Sequence, residues 1–252
     1  MSIWVTGDCH GNFKRFSRKS RAKIGLKDND FVIVTGDFGL LWCDDKEFHY
    51  NLDWMSRLPI TILWVAGNHE NYNMLETYPV EDWNGGKVRH IIRDKVIYLE
   101  RGQIFTLESK TFFTLGGASS HDIEDGVLDR GSSDFESRLK FLKRNKRKHY
   151  RILNESWWVQ ELPTEQELND ALIKLQEYSD KVDYIISHCA SSNLEEKLGM
   201  KNHDRLTDFF NYIDKFVTFE HWYMGHYHQD VTSEDDKHTI LYKQFRSIKC
   251  QL

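Results

Sequence analysis

Residues 60–70 read ITILWVAGNHE, an almost continuous apolar run that passes directly into glycine, asparagine, histidine and glutamate. Two earlier stretches repeat this pattern: IWVTGDCH at residues 3–10 and FVIVTGD at residues 31–37. Apolar runs rich in β-branched residues are typical of strands that are buried on both faces. Helical patterns at about 13–23 and 47–57 separate the runs. This βαβαβ order predicts parallel strands joined by right-handed crossovers.

The second half of the chain is predicted to contain further strands and helices, which flank one segment that is rich in charge. Residues 121–163 are rich in charge and are predicted to be an insertion. Thr164, followed three residues later by Glu167, predicts the start of a helix through a capping box. The other predicted elements are an antiparallel meander (88–92, 96–99, 103–107 and 111–115), strands at 182–187 and 219–224, a helix at about 204–215, and closing antiparallel strands around 239–242.

Composition excludes several classes of protein. The 252 residues suit a single domain, 1–252, with an insertion, and 40% hydrophobic residues are enough for a sizeable core. No apolar run approaches the roughly 18 residues of a membrane span, and no secretory signal is visible. The formal net charge of −5 gives no global reason for affinity to nucleic acids. The four scattered cysteines (Cys9, Cys43, Cys189 and Cys250) favour a reducing, cytoplasmic location.

Chemistry-bearing residues follow the ends of five predicted strands. They are carboxylate, imidazole and amide side chains, namely Asp8, His10, Asp37, Asn68, His69, His188, His226 and His228. In open α/β sheets, ligands bind outside the carboxyl ends of the strands, so these side chains are expected to converge. Residues at i and i+2 of an extended chain point to the same side, which would explain the Asp8/His10 and His226/His228 spacing. A lone Asp-x-His is a weak signal, but the complete set predicts a divalent metal site.

The order of these motifs resembles the calcineurin-like metallophosphoesterase superfamily. The pattern D-x-H, G-D, G-N-H-[DE], H and G-H-x-H spans residues 8–228, and the phrase GGASSHD at 116–122 resembles one in small bacterial and phage members. The resemblance implies an α/β fold of two facing mixed β-sheets flanked by helices, a four-layer αββα sandwich. It implies one metal held by Asp8, His10, Asp37 and His228, and a second held by Asp37, Asn68, His188 and His226. His69 would be the general acid, and Glu70 would orient it.

These ligands predict a phosphoesterase that hydrolyses a phosphate mono- or diester with a hydroxide activated on two divalent ions. Mixed nitrogen and oxygen ligands favour Mn²⁺, with Fe, Zn or Ni as alternatives. Residues 36–42, GDFGLLW, lack the Asp and Arg of the protein Ser/Thr phosphatase branch. A Ser/Thr-type phosphatase of relaxed specificity and a non-catalytic binding module that keeps the fold remain the alternatives.

Substrate signals are weaker and lie in the 121–163 segment. The basic stretch 138–151 is either a patch for a nucleotide or nucleic acid or a solvated helix face. His121 and Asp122 border the site or form an ordinary turn. The pair Trp157-Trp158 stacks on a base or anchors the segment to the body of the fold, and Phe141 and Leu142 are expected to anchor it too. The sequence leaves the oligomeric state open.

Overall fold

Two mixed β-sheets face each other in this protein, whose computed structural model describes residues 1–200 and 203–248. Cys250 of the scattered cysteines lies outside those residues. The first sheet is built from β1 (Ile3–Thr6), β2 (Phe31–Val34), β3 (Thr61–Trp64), β4 (Val80–Trp83), β5 (Gly86–Ile92), β6 (Val96–Leu99) and β15 (Phe245–Ile248). Its order is β15-β1-β2-β3-β6-β5-β4, and the strands from β1 to β6 in this order are parallel. The predicted βαβαβ unit is therefore confirmed.

The second sheet has a similar plan. It contains β7 (Gln103–Leu107), β8 (Lys110–Leu115), β11 (Tyr184–Ser187), β12 (His221–Met224), β13 (Val231–Thr232) and β14 (His238–Ile240). The order is β13-β14-β12-β11-β8-β7, with a parallel centre and an antiparallel strand at each edge. A separate parallel pair joins β9 (Gly126–Leu128) to β10 (Tyr150–Ile152).

Helices cover the outer faces of both sheets. The helices are α1 (Arg18–Ile24), α2 (Lys46–Ser56), α3 (Tyr72–Leu75), α4 (Phe135–Arg144), α5 (Glu165–Glu177), α6 (Ser192–Lys197) and α7 (Arg205–Phe216), with 3₁₀ turns at Phe13–Phe16 and Val159–Glu161. Of these, α4 packs in a separate small cluster with β9. The predicted helix at 13–23 is broken at Ser17, whose extended backbone and side-chain cap start α1. The capping box of Thr164 and Glu167 is confirmed at the start of α5.

Alternation along the strands divides the core into layers. Ile33 of β2 faces the space between the sheets, where it shares a cluster with Ile186 of the second sheet. Its neighbour Val34 faces the other way and packs in the cluster that contains Phe48 of α2. On the far side, Trp222 of β12 packs with residues of α5 and α7. These layers form the expected four-layer αββα sandwich.

The predicted meander at 88–115 is wrong as a single unit. The strands β5 and β6 belong to the first sheet, whereas β7 and β8 belong to the second. The crossing takes place at Arg101-Gly102, where Gly102 has a φ of 67° and the guanidinium of Arg101 donates to the Tyr72 hydroxyl and the Gln160 carbonyl. The buried arginine ties the turn to the body of the fold, a contact that periodicity does not reveal.

Two further strands, β4 and β14, also depart from the predictions. β4 was not predicted; it pairs with β5 through a turn in which Asn84 and Gly85 have φ values of 46° and 96°. An Asn-Gly pair is a strong hairpin signal, because both residues accept positive φ. Near the carboxyl end, β14 is parallel to β12, so the prediction of closing antiparallel strands was wrong for β14 against β12, whereas β13 is antiparallel to β14 and β15 is antiparallel to β1.

The 121–163 segment carries a small cluster of its own, formed by Leu128, Phe135 and Leu142. Trp158 is buried in the main core and packs edge-on against Trp42, with ring centroids 5.6 Å apart, so it anchors the segment. Leu142 is buried as expected, but Phe141 is 62% exposed. The prediction for Phe141 was wrong because only one face of α4 meets the cluster. None of the described helices is both long and apolar enough to cross a membrane.

Candidate metal centre

The predicted site residues meet at one edge of the two sheets, in the loops that follow β1, β2, β3, β11 and β12. The predicted reason for the i, i+2 spacing was wrong, because these loops are not extended. His10, Asp37, His226 and His228 have φ values of 46°, 47°, 71° and 52°. Non-glycine residues rarely adopt positive φ, and such strained positions cluster at functional sites.

Glycine allows the loops to approach each other closely. A Cβ added at Gly67 would lie 2.1 Å from Asp37 Oδ1 and 2.7 Å from His188 Nε2. Gly36 has a φ of 107°, and a Cβ there would lie 2.1 Å from His188 Nδ1. Both positions therefore require glycine for the side chains around Asp37 to pack as they do.

A first group of ligand atoms comes from Asp8, His10 and His228. His228 Nε2 lies 3.3 Å from Asp8 Oδ2, and His10 Nε2 lies 3.7 Å from the same oxygen and 3.8 Å from Asp37 Oδ2. The two Nε2 atoms are 2.9 Å apart. Two nitrogens bound side by side to one ion at about 2.1 Å would be separated by about 3 Å.

Asp8 Oδ2 supports a metal at this position. Within the described residues this oxygen is buried and accepts no hydrogen bond of good geometry. A buried carboxylate oxygen without a partner is costly, and a cation would satisfy it. Asp8 Oδ1 is held by the amide of His226 at 3.1 Å. The residues therefore fit a divalent ion.

A second group surrounds Asp37 and His188. His188 Nε2 lies 3.4 Å from Asp37 Oδ1 and 3.3 Å from Asn68 Oδ1. His188 Nδ1 is 2.7 Å from the carbonyl oxygen of Thr35, an acceptor, so Nδ1 carries a proton and Nε2 points into the site. A hydrogen bond of this kind is the usual way in which a ligating histidine is oriented. Asp37 thus has one oxygen toward each group, as a bridging ligand requires.

His226 lies beside this second group, with its ring 5.0 Å from that of His188. Its Nε2 is 2.8 Å from Nε2 of His121, the residue that the sequence placed either at the border of the site or in an ordinary turn. His121 thus borders the site. The structure brings together all seven predicted ligands.

His69 and Glu70, which were predicted to be catalytic and not ligands, make different contacts with the loop that carries Asp37. The His69 ring lies 5.6 Å from the His10 ring, and its amide donates to Asp37 Oδ1 at 2.8 Å. Glu70 is buried, and its Oε1 accepts from the Phe38 amide at 2.7 Å, so Glu70 holds the loop that carries Asp37. Its predicted orientation of His69 stays a prediction.

Electrostatics in the site follow from burial among opposite charges. Burial raises the pKa of Asp37, but the neighbouring His188, His69 and His10 outweigh it and lower the pKa overall. Burial lowers the pKa of His188, but Asp37 and Asp8 raise it to about 9. Burial and the Asp37 charge raise the pKa of Glu70 to about 8. The Asp37 carboxylate and the His188 imidazole therefore favour each other's charged forms, and a cation would favour the charged form of the carboxylate in the same way.

Several supporting residues were not predicted from the sequence. Arg15 donates to the carbonyls of Gly7, Asp8 and Tyr242, and so fixes the loop after β1. Tyr242 stacks on the His228 ring with centroids 4.6 Å apart. No motif marks these positions, because their partners are backbone atoms or residues distant in the sequence.

A further unpredicted network orients Asn68. Its Nδ2 donates to Ser120 Oγ at 3.3 Å, and Ser120 Oγ donates to Glu161 Oε2 at 2.7 Å. The amide nitrogen is thereby directed away from the site, and its oxygen faces His188. The phrase at 116–122 contains Ser120 and was the one available signal.

Comparison with known proteins identifies the family of the chain. No curated protein matches the chain. One solved structure that resembles it is the phosphopantetheinyl hydrolase PptH from Mycobacterium tuberculosis, with 14% identity over 96% of this chain and 88% of that one and a TM-score of 0.43. The family model described as calcineurin-like phosphoesterase matches residues 1–230. The protein is therefore a hydrolase that belongs to the calcineurin-like phosphoesterase family.

Proposed function

We propose that the protein hydrolyses a phosphate mono- or diester at a centre of two divalent ions. The observation that carries the proposal is a pair of adjacent ligand groups, Asp8 with His10 and His228, and Asp8 with Asp37 and His188. Asp37 reaches both groups, since its Oδ2 lies 3.8 Å from His10 Nε2 and its Oδ1 lies 3.4 Å from His188 Nε2. When bound, two such ions supply a nucleophile from water near neutral pH and offset the charge on the phosphoryl oxygens.

The residues of the chain would divide the remaining work. Asp37 bridges the two groups, and the hydrogen bond from the His69 amide keeps its Oδ1 in place. His69 donates a proton to the leaving oxygen, which is typically worth about 10²- to 10⁴-fold in rate. Burial is the main cause that lowers the pKa of the His69 ring, and the negative charge of Asp37 opposes it.

The donor set supports Mn²⁺ as the preferred ion, with Fe, Zn or Ni as alternatives, because imidazole and carboxylate ligands are mixed. Among the described residues, Cys9 and Cys189 flank ligands but are buried, and burial raises the pKa of the Cys9 thiol to about 12. Thiolate ligation is therefore no part of the proposal, and a cytoplasmic location remains consistent with these free thiols.

We treat a simple phosphate ester as the substrate and keep binding of nucleotides or nucleic acids through 138–151 as a prediction. The basic side chains of α4, Arg138, Lys140, Lys143 and Arg144, are exposed. Exposure suits a solvated helix face as well as a polyanion patch. Binding of a labelled single-stranded oligonucleotide that weakens steeply with salt would support the patch.

Hydrolysis of p-nitrophenyl phosphate and bis-p-nitrophenyl phosphate by metal-stripped protein tests the proposal. We expect turnover to return when Mn²⁺, Zn²⁺, Ni²⁺ or Mg²⁺ is added. His69→Ala should keep its metal and lose activity, most of all on esters with poor leaving groups, whereas His49→Ala, a change at an exposed histidine paired with Asp44, should behave as wild type. Absence of turnover with every metal would favour the non-catalytic binding module.

A further inference from the structure

The loops that carry the proposed ligands contain no lysine or arginine. Residues 7–12, 36–42, 67–71, 188–191 and 225–230 hold neither lysine nor arginine. A phosphomonoester brings up to two negative charges and three non-bridging oxygens. A lysine or arginine that contacts those oxygens must therefore come from another part of the chain.

The 121–163 segment contains an arginine, Arg151, that is connected to the site through Asp122 and His121. His121 reaches the His226 ring, with Nε2 atoms 2.8 Å apart, and so places the next residue, Asp122, at the rim of the site. Asp122 Oδ2 forms an ion pair with the guanidinium of Arg151. The Arg151 side chain is 23% exposed, whereas that of Arg147 in the same basic stretch is 63% exposed.

Strand alternation explains why the Arg151 side chain is less exposed than that of Arg147. In β10, Tyr150 and Ile152 pack against the small cluster of Leu128 and Phe135. Successive side chains of a strand point to opposite faces, so Arg151 lies on the face away from that cluster. Pairing of Arg151 with Val127 of β9 fixes this register.

The positive charge of Arg151 also reaches the proposed general acid. The guanidinium of Arg151 acts electrostatically on the His69 ring. Arg151 therefore lies within electrostatic range of His69 on one side and is joined through Asp122 to His121 and His226 on the other.

We propose that Arg151 binds the non-bridging oxygens of the substrate phosphate, that Asp122 is its positioning residue, and that the preferred substrates are phosphomonoesters. The proposal rests on the proposed phosphoesterase function. A guanidinium presents five donors in a planar fork that matches phosphate oxygens, and Asp122 engages one terminal nitrogen of that fork. A monoester has one more non-bridging oxygen and one more negative charge than a diester, so an added cation favours the monoester.

The test compares Arg151→Ala and Arg151→Lys with Arg130→Ala. Arg130 is a matched control, since it belongs to the same segment and is likewise paired with a carboxylate, that of Glu155. The readouts are kcat/KM for p-nitrophenyl phosphate and for bis-p-nitrophenyl phosphate, affinity for inorganic phosphate by calorimetry on Mn²⁺-loaded protein, and metal content. Circular dichroism checks folding, and Arg151→Gln provides a second variant if Arg151→Ala does not fold.

We expect Arg151→Ala to keep its metal, to lose about 10- to 100-fold in kcat/KM on the monoester, and to bind phosphate more weakly by a similar factor. The loss in kcat/KM on the diester should be smaller. Arg151→Lys should recover part of the lost kcat/KM on the monoester, and Arg130→Ala should match wild type. Asp122→Asn should raise KM in wild type but add little to Arg151→Ala, because the two residues act together.

Equal behaviour of Arg151→Ala and Arg130→Ala on an active wild-type background would overturn this inference and leave the phosphoesterase function intact. Equal losses on both esters would overturn the preference for monoesters. If wild type hydrolyses neither ester, the proposed function fails, and phosphate affinity still decides the role of Arg151: equal affinity in wild type and Arg151→Ala refutes it.

Discussion

Replacement of Gly67 by alanine should remove the metal centre while the fold is kept. The new Cβ would stand 2.1 Å from Asp37 Oδ1, where ordinary contacts begin at 3.4 Å, and 2.6 Å from the Asp37 amide nitrogen. The Asp37 carboxylate must therefore move by about 1.3 Å, which is several times the roughly 0.2 Å that metal–ligand distances tolerate. A misplacement of about 1 Å can cost on the order of 10²-fold in rate.

The assay measures metal content after gel filtration and the melting temperature with and without Mn²⁺. Wild type should melt at a higher temperature with metal, because a ligand that binds the folded state stabilises it. Gly67→Ala should lose that increase and at least about 100-fold in kcat/KM. In the chelated state, overpacking should destabilise it by about 1–3 kcal/mol.

Gly131→Ala is the matched control, since its added Cβ meets nothing closer than Asp129 Oδ1 at 3.3 Å, which needs a shift of only about a tenth of an ångström. This variant should retain its metal-dependent rise in melting temperature. A Gly67→Ala protein with two ions per chain and wild-type turnover would refute the reasoning, because Asp37 would then not need its observed position.

Two other substitutions test supporting contacts. Ser120→Ala removes the acceptor that orients Asn68, so metal affinity measured by calorimetry should fall about 10- to 100-fold. Ser137→Ala, at an exposed serine of α4, should not change the metal affinity. Equal metal affinities of Ser120→Ala and wild type would contradict the role of the network. Burial raises the pKa of Glu195 to about 7, above the ordinary 4.5, so the folded state retains a proton that the unfolded state releases. The contribution of Glu195 to the free energy of unfolding should therefore fall by up to about 3 kcal/mol as pH rises from about 4.5 to 7 and level off above. Urea denaturation at several pH values should show the same slope in wild type and in Glu136→Gln and a smaller slope in Glu195→Gln, and an unchanged slope in Glu195→Gln would contradict this contribution.

The sequence predicted the ligands that lie in short motifs at the ends of apolar runs. Each ligand follows an apolar run, and the carboxyl ends of parallel strands meet at one edge, so Asp8, Asp37 and His188 could be placed together without coordinates. The family resemblance was confirmed over residues 1–230. Strand periodicity likewise predicted β6 and β7 at their observed bounds.

Contacts between distant parts of the chain could not be predicted in this way. Periodicity shows that β6 and β7 are strands but not that they belong to different sheets, because the buried Arg101 at their junction leaves no pattern. The spacing of His226 and His228 was interpreted as extended chain, whereas the left-handed backbone at both residues directs the rings to different ligand groups.

The proposed centre holds two ions that are bridged by Asp37. The most direct test titrates metal-stripped wild type and Asp37→Asn with Mn²⁺ in a calorimeter and measures turnover of p-nitrophenyl phosphate at each addition. We predict two ions per wild-type chain, turnover that rises with the second ion, and loss of both the second ion and turnover in Asp37→Asn. Binding of a single ion, or full turnover once one ion is bound, would contradict the claim.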